Sequence, residues 1–244
     1  MRKGRVIRKG LVSLICIGIL FYCGTRYISE RQTDREREEE VTTMTEPDKA
    51  DKDDDGFRVK WSKLPKNCKL WLRFKHPSVI SYPVMQSEDN DYYLHKDLDG
   101  SYKYSGTVFM DFHNSLDLMD SNTILYGHNM ADGSMFGSLK KFRDDSYAKK
   151  HRYFYMYDRD GFRYKYKIWN VIEISPTSDL YAYSFPDKDS IEKYIVNSEK
   201  QQIYNLKGSP TADDRMILLS TCSSYGSKRL CLQGYLLDVH KLQK

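Results

Sequence analysis

From about Phe57 onward the sequence is a succession of short apolar runs separated by turn signals, and that punctuation restricts the chain to a fold made mostly of strands. Lys69–Phe74 (KLWLRF), Tyr82–Gln86 (YPVMQ), Gly106–Asp111 (GTVFMD) and Thr123–Tyr126 (TILY) all read as strands. Arg152–Tyr157 and Phe162–Ile174 flank Asp158-Arg159-Asp160-Gly161, a hairpin turn whose glycine tolerates positive φ. Met216–Cys222 and Arg229–Val239 complete the series. Two segments carry helical spacing instead: Ser134–Arg143 through Met135, Phe136, Leu139 and Phe142, and Asp189–Ile203 through Ile191, Tyr194, Ile195 and Ile203. Many strands with few helices imply a mostly β domain of the barrel kind.

The region before Phe57 is of another character. The formal net charge of the 244 residues is +5, but Arg2, Lys3, Arg5, Arg8 and Lys9 carry as much by themselves, and the remainder is near neutral. A nucleic-acid binder would need that basic excess on its folded domain, so nucleic acid is not expected as a partner. The apolar run Leu11–Tyr22 (LVSLICIGILFY) follows the basic head. It reaches the length of a membrane span if it continues through Gly24, Thr25, Tyr27 and Ile28 with Arg26 snorkelling to the interface. No small-x-small cleavage site follows cleanly, so the run reads as an uncleaved single-pass anchor with the basic end in the cytoplasm. A cleaved signal peptide and a buried core helix are the competing readings. Residues Glu30–Asp55 are dominated by charge and read as a solvated spacer. The expected organisation is therefore a basic tail at 1–10, an anchor at 11–28, a charged spacer at 29–57 and a folded domain at 58–244.

In Leu218–Leu230 (LLSTCSSYGSKRL) an apolar run ends in a cysteine, breaks into a small polar loop and resumes with an arginine. If the two flanking strands pair with Cys222 opposite Arg229, then Ser220 faces Cys231 and the thiol and guanidinium meet at one rim. A slip of one residue would remove the coincidence. A thiol suits nucleophilic attack on an amide, a permanently charged planar guanidinium suits the oxygen that becomes negative, and a histidine suits proton delivery to the departing amine. Of the six histidines, His128 also follows an apolar run, beside Gly127, whose expected role is flexibility. Five cysteines give no disulfide framework. Cys16 and Cys23 lie in the anchor and leave an odd number, Cys68, Cys222 and Cys231, outside it. Cys231 is expected to be a small core thiol, and a Cys222–Cys231 bridge is the alternative.

Taken together, ILYGHNM at 124–130, LLSTC at 218–222 and SKRL at 227–230 resemble the sortases, membrane-anchored cysteine transpeptidases of Gram-positive cell surfaces. Ser220 stands where the T-x-T-C-like signature often has its first Thr. SEDNDYYL (87–94), GTVFMDFHN (106–114) and MFGSLKKF (135–142) are similar to class B blocks in particular, and the resemblance spans roughly Trp61 to Val239.

The resemblance implies an eight-stranded β-barrel with peripheral helices, in which the histidine and cysteine strands are adjacent and parallel. It implies that Cys222 attacks the Thr carbonyl of a C-terminal sorting signal of the NPxT[N/G] kind. His128 would serve the leaving and the incoming amines, and Arg229 the oxyanion. Leu94, Tyr181 and Ser220 are the matching candidates for the peptide groove. The partners implied are the sorting-signal peptide, a peptidoglycan precursor or stem amine as acceptor, and the membrane. No cofactor is expected, because the acidic spacer fixes no ligand geometry. A tethered thiol peptidase that only hydrolyses, and a binding module whose chemistry has lapsed, are the alternatives.

Overall fold

The computed structural model describes residues 57–222 and 228–242 continuously, and before them residues 16, 18–25, 28, 32, 39 and 43–47. The chain divides into two compact units, Met1–Thr43 and Met44–Lys244. In the first, residues 18–25 are helical, with Ile19, Leu20, Phe21 and Tyr22 exposed. Among the described residues no helix is long and apolar enough to cross a membrane. The expected anchor at 11–28 and spacer at 29–57 lie partly outside the described residues.

In the second unit, β1 (Thr45–Pro47) and β2 (Phe57–Val59) pair with each other. The remaining strands are β3 (Leu70–Phe74), β4 (Ser81–Met85), β5 (Val108–Met110), β6 (Asn122–His128), β7 (Tyr153–Asp158), β8 (Phe162–Ile174), β9 (Met216–Cys222) and β10 (Arg229–Lys241). They close into an eight-stranded barrel in the order β10-β8-β7-β3-β4-β5-β6-β9. Neighbours are antiparallel except β4 with β5 and β6 with β9, which run parallel. The hairpin expected between β7 and β8 forms, with Gly161 at φ 85° and the Asp158 carboxylate accepting from the Phe162 amide at 2.8 Å.

Strand alternation sorts the side chains. Leu70, Leu72 and Phe74 of β3 join Phe154, Met156, Leu125, Ile217, Leu219, Leu230 and Leu232 in one buried cluster inside the barrel. The intervening positions of β6, β8, β9 and β10 therefore face outward. Helix α2 (Lys188–Lys200), with Ile191, Tyr194 and Ile195 buried, lies in contact with β8, and its Tyr194 and Ser198 bond to side chains of β6, β8 and β10. The barrel thus has an inner apolar core and a second, more polar layer outside it on this side.

Both predicted helices need adjustment. Asp189–Ile203 is an α-helix over Lys188–Lys200, capped by the Asp187 carboxylate on the Ser190 amide at 2.8 Å. Ile203 leaves the helix, donates its amide to Val171 O at 2.9 Å and keeps its side chain exposed, so it adds nothing to the buried helix face. Ser134–Arg143 is a turn followed by a 3-10 helix over Gly137–Arg143. Met135 has φ 49°, which excludes a helix starting at Ser134, and a Cβ on Gly137 would lie 2.1 Å from Met130 O. A short helix α1 (Asp145–Lys150), capped by Asp144, is too brief to show a period in the sequence.

Candidate active site

Parallel pairing of β6 and β9 sets Tyr126 beside Ser220, Gly127 beside Thr221 and His128 beside Cys222. On the other edge of β9, Ser220 pairs with Cys231 of β10, and Thr221 Oγ1 donates to Leu230 O at 3.0 Å. Continued by two residues, this register sets Cys222 opposite Arg229, as the sequence arrangement required. Where the Cys222 thiol points lies outside the described part of the structure. Strand ends thus bring Cys222, His128 and Arg229 to one rim from three neighbouring strands.

His128 is half-buried, and its Nε2 lies 2.6 Å from Leu94 O. A carbonyl only accepts, so Nε2 carries the hydrogen and Nδ1 is the nitrogen left for exchange. Burial lowers the His128 pKa, the Leu94 carbonyl works to raise it, and neighbouring His95 lowers it again; the net direction is down.

Leu94 ends a 3-10 turn over Tyr92–Leu94 that is pinned from behind. Gly106, at φ 57°, packs so closely that a Cβ would lie 2.3 Å from Leu94 O. Gly127 is not the flexible position expected. It sits inside β6 against Phe136, whose ring would be 2.7 Å from an added Cβ. Glycine here permits a close approach rather than motion.

Tyr181 ends a second 3-10 turn, Asp179–Tyr181. Its hydroxyl and Ser220 Oγ share a hydrogen bond of 2.8 Å, and the same hydroxyl lies 3.6 Å from Cys231 Sγ. Cys231 is buried and forms no disulfide; it belongs to this polar outer layer rather than to the apolar core. The Arg229 charge acts on both Tyr126 and Tyr181, lowering hydroxyls that burial pushes upward. Those two rings are stacked, with centroids 6.3 Å apart. Cys68, by contrast, is sealed in the interior, where burial pushes its thiol up to about 11.

Sequence reasoning missed several supporting residues. Asp111, in the GTVFMDFHN block, accepts from Tyr126 OH at 2.9 Å, Asn90 Nδ2 at 2.8 Å and His113 Nδ1 at 2.8 Å. Burial works to raise this carboxyl, but the amide and imidazole of His113, with Asn90 and Tyr126, overcome it and hold the pKa below the ordinary range. Tyr194 was legible only as part of an apolar helix face. Its hydroxyl donates to Leu180 O at 3.2 Å and accepts from Gln233 Nε2 at 2.9 Å and Asn122 Nδ2 at 3.2 Å. Tyr126 could have been found, because period two puts it on the face of His128.

The sequence matches the sortase domain family over residues 78–237. The chain belongs to the sortase family. It is 37% identical to sortase B of Listeria monocytogenes over 180 residues, 72% of each chain. A Staphylococcus aureus sortase B–substrate complex superposes with a TM-score of 0.67 at 26% identity, covering 72% of this chain and 82% of that one. A sortase B complexed with triglycine does so with a TM-score of 0.67 at 27% identity, covering 75% and 84%. The sortase reading makes this chain a cysteine transpeptidase of the class B kind, carried on an eight-stranded barrel. Among the described residues, no three His, Cys, Asp or Glu side chains are grouped to hold a metal ion.

Proposed function

We propose that this sortase cleaves an NPxT[N/G]-type sorting signal after its Thr and transfers the protein to an amine of the cell wall. The observation that carries the reading is the pairing of His128 with Cys222 across parallel strands, next to the Ser220–Tyr181 hydrogen bond. The Cys222 thiolate attacks the Thr carbonyl carbon, and the electron pair of the carbonyl moves to its oxygen. Arg229 faces that oxygen with a fixed charge, a contribution worth about 3 kcal/mol to such a barrier. Collapse breaks the C–N bond, and protonated His128 gives the leaving amine the proton on Nδ1 while Nε2–H stays on Leu94 O.

A thioacyl-enzyme remains. Neutral His128 then takes a proton at Nδ1 from the incoming amine, which attacks the thioester carbon and expels the thiolate. Both partners have counterparts among the relatives, one a substrate complex and one a triglycine complex. Leu94, Tyr181 and Ser220 border the place where the peptide would lie. The exposed apolar side chains Ile19, Leu20, Phe21 and Tyr22 on helical residues support a single membrane anchor, N-terminus inside and catalytic domain outside.

Incubation of the full chain with a fluorogenic NPxTN peptide, with and without a peptidoglycan stem amine, tests the reading. Cleavage and a ligated product are expected, and Cys222→Ala loses both while keeping the fold. Retained cleavage in that variant, or hydrolysis that ignores the amine, overturns it.

A further inference from the structure

The imidazole assigned to proton transfer has a second imidazole lying against it. The rings of His95 and His128 are 5.2 Å apart between centroids and inclined by 25°. His95 Nδ1 lies 3.0 Å from Tyr104 O and must therefore be the donor there. The Tyr102 and Tyr104 rings flank it at 6.2 and 6.3 Å, each inclined by 29°. Both imidazoles thus hang from carbonyls of the same β4–β5 connection, His128 from Leu94 and His95 from Tyr104. His95 is exposed, whereas His128 is half-buried.

A single hydrogen bond at Nε2 leaves a ring free to swing about that bond. A face-to-face neighbour removes the swing. We propose that His95 is a positioning residue: its ring fixes the plane of the His128 imidazole, and its charge, when present, repels an imidazolium there. This rests on the assignment of His128 made above.

Several titratable groups surround the pair. Tyr102 and Tyr104 lie on the connection itself, where Lys103 is tied to Asp97 at 2.8 Å. Tyr126 and Asp111 lie on the barrel side, Tyr181 on the second turn, Arg229 on β10 and Cys222 on β9. Among the described residues, His95 is the one whose charge acts on His128. A positive charge on the neighbouring ring, partly screened by solvent, opposes an imidazolium at His128. Loss of His95 therefore raises the proton affinity of His128.

The test is an NMR titration of the His128 imidazole in the detergent-solubilised full chain, for wild type, His95→Phe and His95→Ala. Both variants are expected to move the His128 midpoint upward by about half a unit or more. Turnover of the fluorogenic NPxTN peptide supplies the second readout. Because Phe keeps a ring on His128 and Ala does not, kcat is expected to be about fivefold higher in His95→Phe than in His95→Ala, with KM alike. An unmoved midpoint in His95→Phe, or equal kcat in the two variants, overturns the proposal. Should wild type fail to cleave the peptide, the functional reading falls while the titration still decides the role of His95.

Discussion

The two flanks of the site are held by different means. On the Tyr181 flank, buried side chains do the holding: Tyr194 bonds Leu180 O, Asn122 and Gln233, while Asn122 also reaches Ala182 O at 2.7 Å. These bonds grip the turn on both sides of Tyr181. On the His128 flank, close backbone approach does the holding among the described residues. The Leu94 carbonyl is set by Gly106, and the strand is set by the contact of Gly127 with Phe136. Directional bonds between side chains resist sliding but accept small changes of volume, whereas close backbone approach accepts none. The Tyr181 side is thus specified by polarity and the His128 side by shape.

The charge of Arg229 acts on Tyr126 and on Tyr181, and its replacement should hurt most. Arg229→Lys keeps the charge but loses the planar fork. Peptide cleavage by the full chain is expected to fall about a hundredfold in kcat/KM, with thermal stability almost unchanged. A loss under about fivefold would mean that charge alone suffices there and that the fork is not used.

Next in size is the shape-specified flank. Gly127→Ala places a methyl group against the Phe136 ring, and overpacking of this kind costs about 2 kcal/mol. Denaturant unfolding should register that loss, and kcat should drop while KM stays level, because His128 moves and the peptide groove does not. Equal changes in both constants would erase the distinction between the flanks.

The polarity-specified flank predicts the opposite split. Tyr194→Phe removes one hydroxyl and keeps the packing, leaving the Gln233 amide with Ser198 Oγ at 3.0 Å and Asn122 with Ala182 O. The expected cost is about 1 kcal/mol, with KM for the peptide raised as the Tyr181 turn loosens and kcat little altered. A change confined to kcat would contradict it.

How much of this could be read in the chain depends on distance. The strand series, the β7–β8 hairpin and, on an assumed register, the facing of residues 222 and 229 follow from period and punctuation in short windows, and family resemblance supplied the parallel pairing of β6 with β9 that brings residue 128 beside them. The 3-10 course of Gly137–Arg143 did not, because a single left-handed residue, Met135, overrides four well-spaced apolar side chains. Gly127 looked like a flexible glycine and Gly106 like the first residue of a strand, since their demand arises from Phe136 and from the Tyr92–Leu94 turn, which only folding brings against them. Tyr194 hid for the same reason: an apolar stripe predicts burial but not what a hydroxyl meets once buried. Cys231 shows the limit of a composition argument, being buried as expected yet among Tyr181 and Ser220 rather than in the apolar core.

The smallest predicted effect concerns Asp111, which belongs to neither flank but anchors Tyr126 between them. Its pKa is depressed in the fold, so the folded protein holds this proton less tightly than the unfolded chain does. The stabilisation it gives is therefore complete above the unfolded carboxylate value of about 4 and fades as pH falls through the lower folded value. Asp111→Asn should be less stable than wild type in urea at pH 6, with the gap shrinking toward pH 3. At neutral pH the same variant should lose a modest part of its turnover, because Tyr126 keeps its packing but no longer donates to a charge beside Arg229. A stability gap that is constant from pH 6 to pH 3 would show that Asp111 acts by shape, like Gly127, and not by its charge.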